Sequence, residues 1–221
     1  MHTRKAAGSA VVIAAKQFNP TVMGEIWLSE NNIITKAELK DATNKVFVDG
    51  IAQVDCKDFA LVVVGSQLQF VPKDAHRADV FERLKLLIGL IPHTPFTAIG
   101  INHSWQVTPV GVDTKEFSRR VFLRDDSPFA EMFSDDDSLF GGYFSKDIFG
   151  GRLKVDVQPA ILASPESSQV VFITLNFNFH LELTGAGQKK VEAIYQHLSR
   201  WEEARSLTEK MTTRLAEYEI K

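Results

Sequence analysis

The chain has 221 residues, of which 44% are hydrophobic and 24% are charged, and its formal net charge is −3. This composition is typical of a globular protein with a buried core. The slight negative charge argues against a nucleic-acid binder that relies on bulk electrostatics. The single cysteine, Cys56, excludes an intrachain disulfide and favours a reducing, cytoplasmic location. No apolar run approaches the roughly 18 residues of a membrane-spanning helix.

The first elements are a short buried strand at 9–18 and an amphipathic helix at 20–30. Asn19 and Pro20 are suited to the start of that helix, because Asn caps and Pro fits the first helical turn. A strand at 22–28 is the alternative. Two further short helices are expected where a capping residue precedes Glu by three positions. These pairs are Thr35 with Glu38, before a helix at 36–42, and Asp113 with Glu116, before a helix at 114–123.

Three short runs between Gly50 and Pro72 are strand-like. Gly65 and Ser66 separate the last two, as in a tight hairpin. Cys56 ends the first run, and we expect a buried structural thiol there, because a reactive cysteine needs a setting that lowers its pKa. The three predicted strands are 52–56, 59–64 and 67–71.

A helix at 75–91, capped by Asp74 and ended by Pro92, leads into a strand at 97–107. One face of this strand is bulky, and His103 on it is expected to be a core histidine. The other face, which we call the small face, carries small side chains that let another element approach closely. We expect a helix to pack flat on it, and the alternative is that it forms the floor of a ligand groove. The small face consists of Ala98, Gly100, Asn102, Ser104 and Gln106.

The segment 124–145 mixes acidic and aromatic residues without a regular period. We expect a long ordered loop that docks by its aromatic rings or binds a partner. The run Asp135–Asp137 lacks the spacing of a calcium loop and is interpreted as solvated charge. The aromatic candidates for interaction are Phe129, Phe133, Phe140 and Tyr143.

The runs at 152–158 and 171–183 alternate strictly, with a turn at 164–168 between them. This pattern predicts an antiparallel hairpin with one face on the core and the other in water. The wet face, together with the strand at 97–107, presents an acid, a base and several amides. The residues of this candidate polar face are Asn102, Lys154, Asp156, Asn176, Asn178 and His180.

A single long helix is expected from about 188 to 218, following the Gly185–Gly187 break. Its second half has a narrow apolar seam, close to the 3.5-residue spacing of a two-helix contact. Packing on the chain's own core is one interpretation, and assembly into a homodimer or a hetero-complex is the other. The seam candidates are Trp201, Leu207, Met211 and Leu215.

The sequence thus predicts an α+β fold in which antiparallel β-sheet is packed by helices and followed by a long C-terminal helix. We expect one domain, with possible sub-units at 1–110 and 111–186 before the helix at 187–219. No catalytic, cofactor or metal motif is recognisable, so neither a cofactor nor a metal is expected.

The leading functional hypothesis is a non-enzymatic adaptor subunit of a protein complex, without membrane or nucleic-acid partners. It assembles through the C-terminal helix and segment 124–145. The alternative is a hydrolase or nuclease with its site at Asp156, Asn176 and His180. A sheet with a long C-terminal helix is also similar in coarse architecture to SecB-like chaperones, which implies a holdase as a third hypothesis.

Overall fold

The computed structural model describes residues 1–135, 138–163 and 168–219. Its centre is a nine-stranded sheet in which every pair of neighbours is antiparallel. The strands are β1 (Thr3–Ala15), β2 (Thr43–Val48), β3 (Ile51–Asp55), β4 (Phe59–Val64), β5 (Gln67–Pro72), β6 (Phe96–Thr108), β7 (Gly142–Ile148), β8 (Gly151–Ala163) and β9 (Ser168–Glu182). Their order across the sheet is β2-β3-β4-β5-β1-β6-β9-β8-β7.

Helices pack on one side of this sheet and bury its bulky face. The α-helices are α1 (Glu25–Glu30), α2 (Lys36–Asp41), α3 (Phe81–Leu90), α4 (Thr114–Phe122), α5 (Phe129–Met132), α6 (Gln188–Leu198) and α7 (Trp201–Ala216). Two single 3₁₀ turns lie at Pro20–Val22 and Ala78–Val80. No helix in the described part of the chain is both long and apolar enough to cross a membrane.

The core lies between the helices and the sheet, where α7 crosses β6. The indole Nε1 of Trp105 on β6 donates a 3.0 Å hydrogen bond to Thr208 Oγ1 on α7. The Trp201 ring at the start of α7 packs against Phe81 and His103, with ring centroids 4.5 Å and 4.7 Å away. These contacts fix which face of β6 is covered by the helix layer.

Local signals in the sequence predicted several helix starts correctly. Thr35 and Glu38 form the expected capping box at α2, with bonds of 3.2 Å and 2.7 Å. Asp113 caps α4 by accepting from two backbone N–H groups. The Glu116 side chain does not close a box there, because it bonds Arg120 instead. The region 20–30 is helical rather than extended, although it is split between a 3₁₀ turn and α1.

Four element predictions need correction. The predicted C-terminal helix is two helices, α6 and α7, separated at Ser199 and Arg200. The helix expected at 75–91 begins only at Phe81, because Asp74 accepts from the His76 N–H and forms a turn. The first strand, predicted at 9–18, begins earlier, at Thr3, and ends earlier, at Ala15.

The fourth correction concerns two strands that the sequence pattern did not reveal, β2 and β7. They are the two edge strands of the sheet. Most of their side chains are exposed on both faces, so neither strand has the alternation that marks a half-buried strand. The turn predicted at 164–168 lies, except for Ser168, outside the described residues, as do Asp136 and Asp137 of the acidic run.

Candidate interaction surfaces

The predicted polar face exists as one continuous surface on the side of the sheet that faces away from the helices. Strand register aligns Asn102 with Asn178 and Lys154 across β6, β9 and β8. One level further along, Asn176 lies opposite Asp156. His180 lies on the same face at the other end of β9, so all six predicted residues share this surface.

Amide and hydroxyl groups on this face bond mainly to one another. Asn178 Nδ2 donates to Asn102 Oδ1 at 2.6 Å, and Ser104 Oγ donates to Asn176 Oδ1 at 2.7 Å. Gln158 Nε2 donates to Asp156 at 2.7 Å. These bonds hold the side chains flat against the sheet, which favours a docking surface over a reactive cleft.

Asp156 and His180 are not placed to act together as an acid and a base. His180 lies opposite Arg152, whereas Asp156 lies opposite Asn176. Four residues along β9 therefore separate them, which is about 13 Å at the usual rise per strand residue. Partial burial and then the charge of Lys154 lower the pKa of His180. A general acid–base pair sharing one substrate atom needs hydrogen-bond reach, and this arrangement does not provide it.

The described residues also lack a cluster that suits a metal-dependent nuclease. Among them, no group of three or more His, Cys, Asp or Glu side chains is placed to hold a metal ion. Cys56 is buried, and burial, followed by the charges of Glu38 and Asp55, raises the pKa of its thiol to about 11. This matches the structural thiol expected from the sequence, because a thiol at that pKa is protonated at neutral pH.

The small face of β6 is not covered by a helix, contrary to prediction. The helices contact the opposite face of β6, where His103 and Trp105 are buried against α7. Asn102 and Ser104 on the small face are half-buried by their neighbours in the sheet. A shallow depression of about 450 Å³ lies above them, lined also by Ala10, Val12 and Asn178. None of the described residues therefore covers the side of the sheet that carries the small face.

The aromatic-acidic segment presents large apolar side chains to solvent instead of docking them on the chain. Phe129 is 57% exposed, Met132 72% and Tyr143 62%. We call the whole group the aromatic surface. It comprises the exposed residues Phe129, Met132, Phe133, Leu139, Tyr143 and Phe144. Tyr143 and Phe144 follow one another on β7 and therefore point to opposite sides of the sheet, Tyr143 to the side of Asp156 and Phe144 to the helix side, where it contacts Phe122.

Phe140 differs from the other aromatic candidates because it turns inward. It is half-buried and, with Phe133, lines an open cleft of about 390 Å³ beside α4. The same cleft is lined by Lys115 and Arg119 of α4. Phe133 also makes an edge-to-face pair with Phe129, with ring centroids 6.4 Å apart.

The seam candidates on the C-terminal helix serve the core of the chain itself. Trp201 is 1% exposed and donates from Nε1 to the Ala75 carbonyl oxygen at 2.9 Å. Leu207, Met211 and Leu215 are half-buried and pack against the core beside a fully buried stripe. Trp201 is thus a core residue rather than an interface residue, and assembly through the other three stays a prediction.

The sequence pattern did not identify every residue of the aromatic surface or of the uncovered side of the sheet. Met132 and Phe144 are at least as exposed as the predicted Phe133, and Leu139 is 39% exposed. Their position in the same segment was the available signal. Val46 and Val48 on β2 lie on the uncovered side of the sheet, and they were missed because β2 was not predicted. Comparison of the chain with protein-family models, curated proteins and solved structures gives no match.

Proposed function

We propose that this protein is a non-catalytic interaction subunit that binds a protein partner through the aromatic surface. The observation that carries the proposal is the exposure of six large apolar side chains within residues 129–144. Exposed apolar clusters of this kind are typical of protein-binding sites. Burial of one such side chain stabilises a complex by about 1.5–3 kcal/mol, so a few of them are enough for specific association.

Charges around the aromatic surface indicate the chemistry of the partner. Asp125, Asp126 and Glu131 are exposed within or beside the segment. Asp125 and Asp126 already pair with Arg119 and Arg124, at 3.3 Å and 2.7 Å, but these pairs are exposed and weak. A partner with an apolar groove bordered by Lys and Arg side chains complements this surface. Electrostatic complementarity of that kind raises association rates at low salt.

The test combines Phe129→Ser and Phe133→Ser in one variant. The partner is first captured with the wild-type chain and then purified, and its affinity for each variant is measured by calorimetry. Loss of two aromatic anchors is expected to weaken binding at least thirtyfold, which corresponds to about 2 kcal/mol. Wild-type binding is also expected to weaken as salt is raised, because the rim contacts are charged.

Ile26→Ser is the matched control, because Ile26 is a large apolar residue, 73% exposed, on α1 outside the segment. It should bind the partner as the wild type does. Equal affinity of the double variant and the wild type would contradict the proposal. Equal binding of many unrelated unfolded chains would instead favour a holdase, which the sequence analysis raised through its resemblance to SecB-like chaperones.

A further inference from the structure

The uncovered side of the sheet has an unusual lack of charge across its central strands. Lys, Arg, Asp and Glu make up 24% of the chain, yet none of them points outward from β4, β5, the inner half of β1 or the central part of β6. We call this area the uncharged face. Its residues are Ala60, Val62, Val64, Gln67, Gln69, Val71, Gly8, Ala10, Val12, Ala14, Ala98, Gly100, Asn102 and Ser104.

At one end of β2 and β3 the apolar character of this face continues outward to the edge of the sheet, whereas Gln53 and Asp55, which pairs with Lys73, lie on the same side of β3 towards its other end. Register places Val48 opposite Ile51, and Ile51 opposite Val64, on the same side. Val46, Val48 and Ile51 are 37%, 57% and 38% exposed. A sheet face that remains in water normally alternates with polar and charged side chains, so this pattern is typical of a face that packs against another layer.

Charged residues border the uncharged face instead of lying within it. Arg152, Lys154 and Asp156 follow one another on β8, and Glu182 lies near the end of β9. At the far end of β1, Lys5 lies opposite Gln106. A charge-free centre with a charged rim is the usual anatomy of a protein interface.

We infer that a second copy of this chain packs against the uncharged face, so that two sheets stack with a two-fold axis running across the strands. Small and medium side chains suit the spacing of about 10 Å between stacked sheets. The contact would span the six neighbouring strands β3, β4, β5, β1, β6 and β9. At a strand spacing of about 4.8 Å and a contact length of about seven residues along each strand, this area is roughly 700 Å² per copy. Both copies together bury roughly 1,400 Å², within the range of a stable specific interface.

The arrangement of the three zones selects a second copy as the occupant and fixes the direction of the axis. Across the sheet the uncovered side is mainly aliphatic from β2 to β1, with Gln53, Gln67 and Gln69 among the aliphatic side chains and Asp55 paired with Lys73 at one end. It is rich in amides on β6 and β9, and charged on β8. An axis across the strands places like zones over each other: apolar on apolar, and amide on amide. It also reverses β8 against its counterpart, which brings Arg152 of one copy towards Asp156 of the other and places Lys154, midway between them, opposite its own counterpart. An axis along the strands would place the apolar zone over the charged one.

The first test is the mass of the full chain in solution, measured by sedimentation equilibrium, for the wild type and for Val71→Asp. Val71 lies on the uncharged face next to Ala60, so the substitution places a charge near the axis in each copy. We expect a dimer for the wild type and association at least a hundredfold weaker for the variant. Val110→Asp, which charges an exposed valine in a loop, should remain dimeric. A monomeric wild type, or a Val71→Asp variant that stays dimeric, would overturn the inference.

The second test avoids a new charge, so it remains informative if Val71→Asp does not fold. In Ser104→Cys the new thiol lies on the uncharged face, and Cys56 adds little background because it is buried with a raised pKa. The rate of maleimide labelling should fall as the protein concentration rises, because the dimer covers residue 104. Ser199→Cys, at an exposed turn on the helix side, should show no concentration dependence. A labelling rate at residue 104 that is independent of concentration would also overturn the inference.

Discussion

At the scale of single residues, His103 is the clearest case of a side chain whose surroundings control its protonation. It is 2% exposed, and its Nδ1 lies 2.8 Å from Ser9 Oγ. Its Nε2 has no hydrogen-bond partner among the described residues. Burial, and then the charge of Arg205, lower the pKa of His103 to about 4. The sequence predicted a core histidine with satisfied hydrogen bonds. The structure confirms the core position, but only Nδ1 has a hydrogen-bond partner among the described residues.

The stability of the fold should therefore depend on pH below neutrality. The unfolded chain binds a proton at His103 near pH 6.5 and the folded chain only near pH 4, so stability is complete above pH 6.5 and decreases as the pH falls towards 4. The lost free energy of unfolding from this one group is about 3 kcal/mol. Burial also lowers the pKa of His197, which adds a loss of the same sign.

Urea unfolding at pH 7.5 and pH 4.5 would measure this effect. His103→Gln, which cannot titrate, should show a smaller difference between the two pH values than the wild type. His93→Gln changes an exposed histidine and should keep the wild-type difference. An unchanged difference in His103→Gln would mean that His103 does not control the acid response.

At the scale of elements, the β7–β8 hairpin depends on close backbone packing at its turn. Phe149 and Gly150 both have positive φ, 55° and 74°, as a tight two-residue hairpin turn requires. Phe149 tolerates this conformation because its ring stacks on Phe179, with centroids 5.7 Å apart. Gly151 then enters β8 so close to β9 that a Cβ atom would lie 2.2 Å from the His180 carbonyl oxygen.

Gly151→Ala should thus destabilise the protein by about 2 kcal/mol or more, because the backbone of β9 cannot move away as a flexible side chain could. Thermal or urea unfolding measures the change. Gly65→Ala is the control, since nothing lies within 4 Å of a Cβ at the β4–β5 turn. A loss of stability no larger in Gly151→Ala than in Gly65→Ala would contradict the close approach.

At the scale of the whole molecule, the helix layer packs on one side of the sheet. α7 completes this layer over β6 and β1, through Trp201, Thr208 and the bond from Trp105. Helix α7 therefore belongs to the core of the fold, whether or not it also contributes to an interface. This changes what removal of the C-terminal helix is expected to do.

A chain ending at Arg200 should lose the cooperative unfolding transition and its near-UV circular dichroism. Without α7, the indole N–H of Trp105 loses its partner and the bulky face of β6 is exposed to water. A chain ending at Tyr218 keeps α7 and should remain folded. A folded chain ending at Arg200 that has only lost self-association would instead support the seam predicted for Leu207, Met211 and Leu215.

The sequence by itself determined the features that depend on neighbours in the chain. Capping at Thr35 and Asp113, the hairpin of β8 with β9, and the two unlike faces of β6 all follow from local spacing of polar and apolar residues. The alternation of β9 was enough to bring Asn176, Asn178 and His180 to one face. The segment 124–145 was recognised only as irregular, because its acids and rings have no period, and the exposure of its rings was not predicted.

Only the tertiary structure decided the features that depend on distant partners. β2 and β7 are strands because β3 and β8 supply hydrogen bonds to their backbones, and edge strands need no alternating pattern. The C-terminal apolar stripe was compatible with a partner helix or with the chain's own core. Contact with His103 places Trp201 in the core, and assembly through Leu207, Met211 and Leu215 stays a prediction. The same packing left the small face of β6 uncovered.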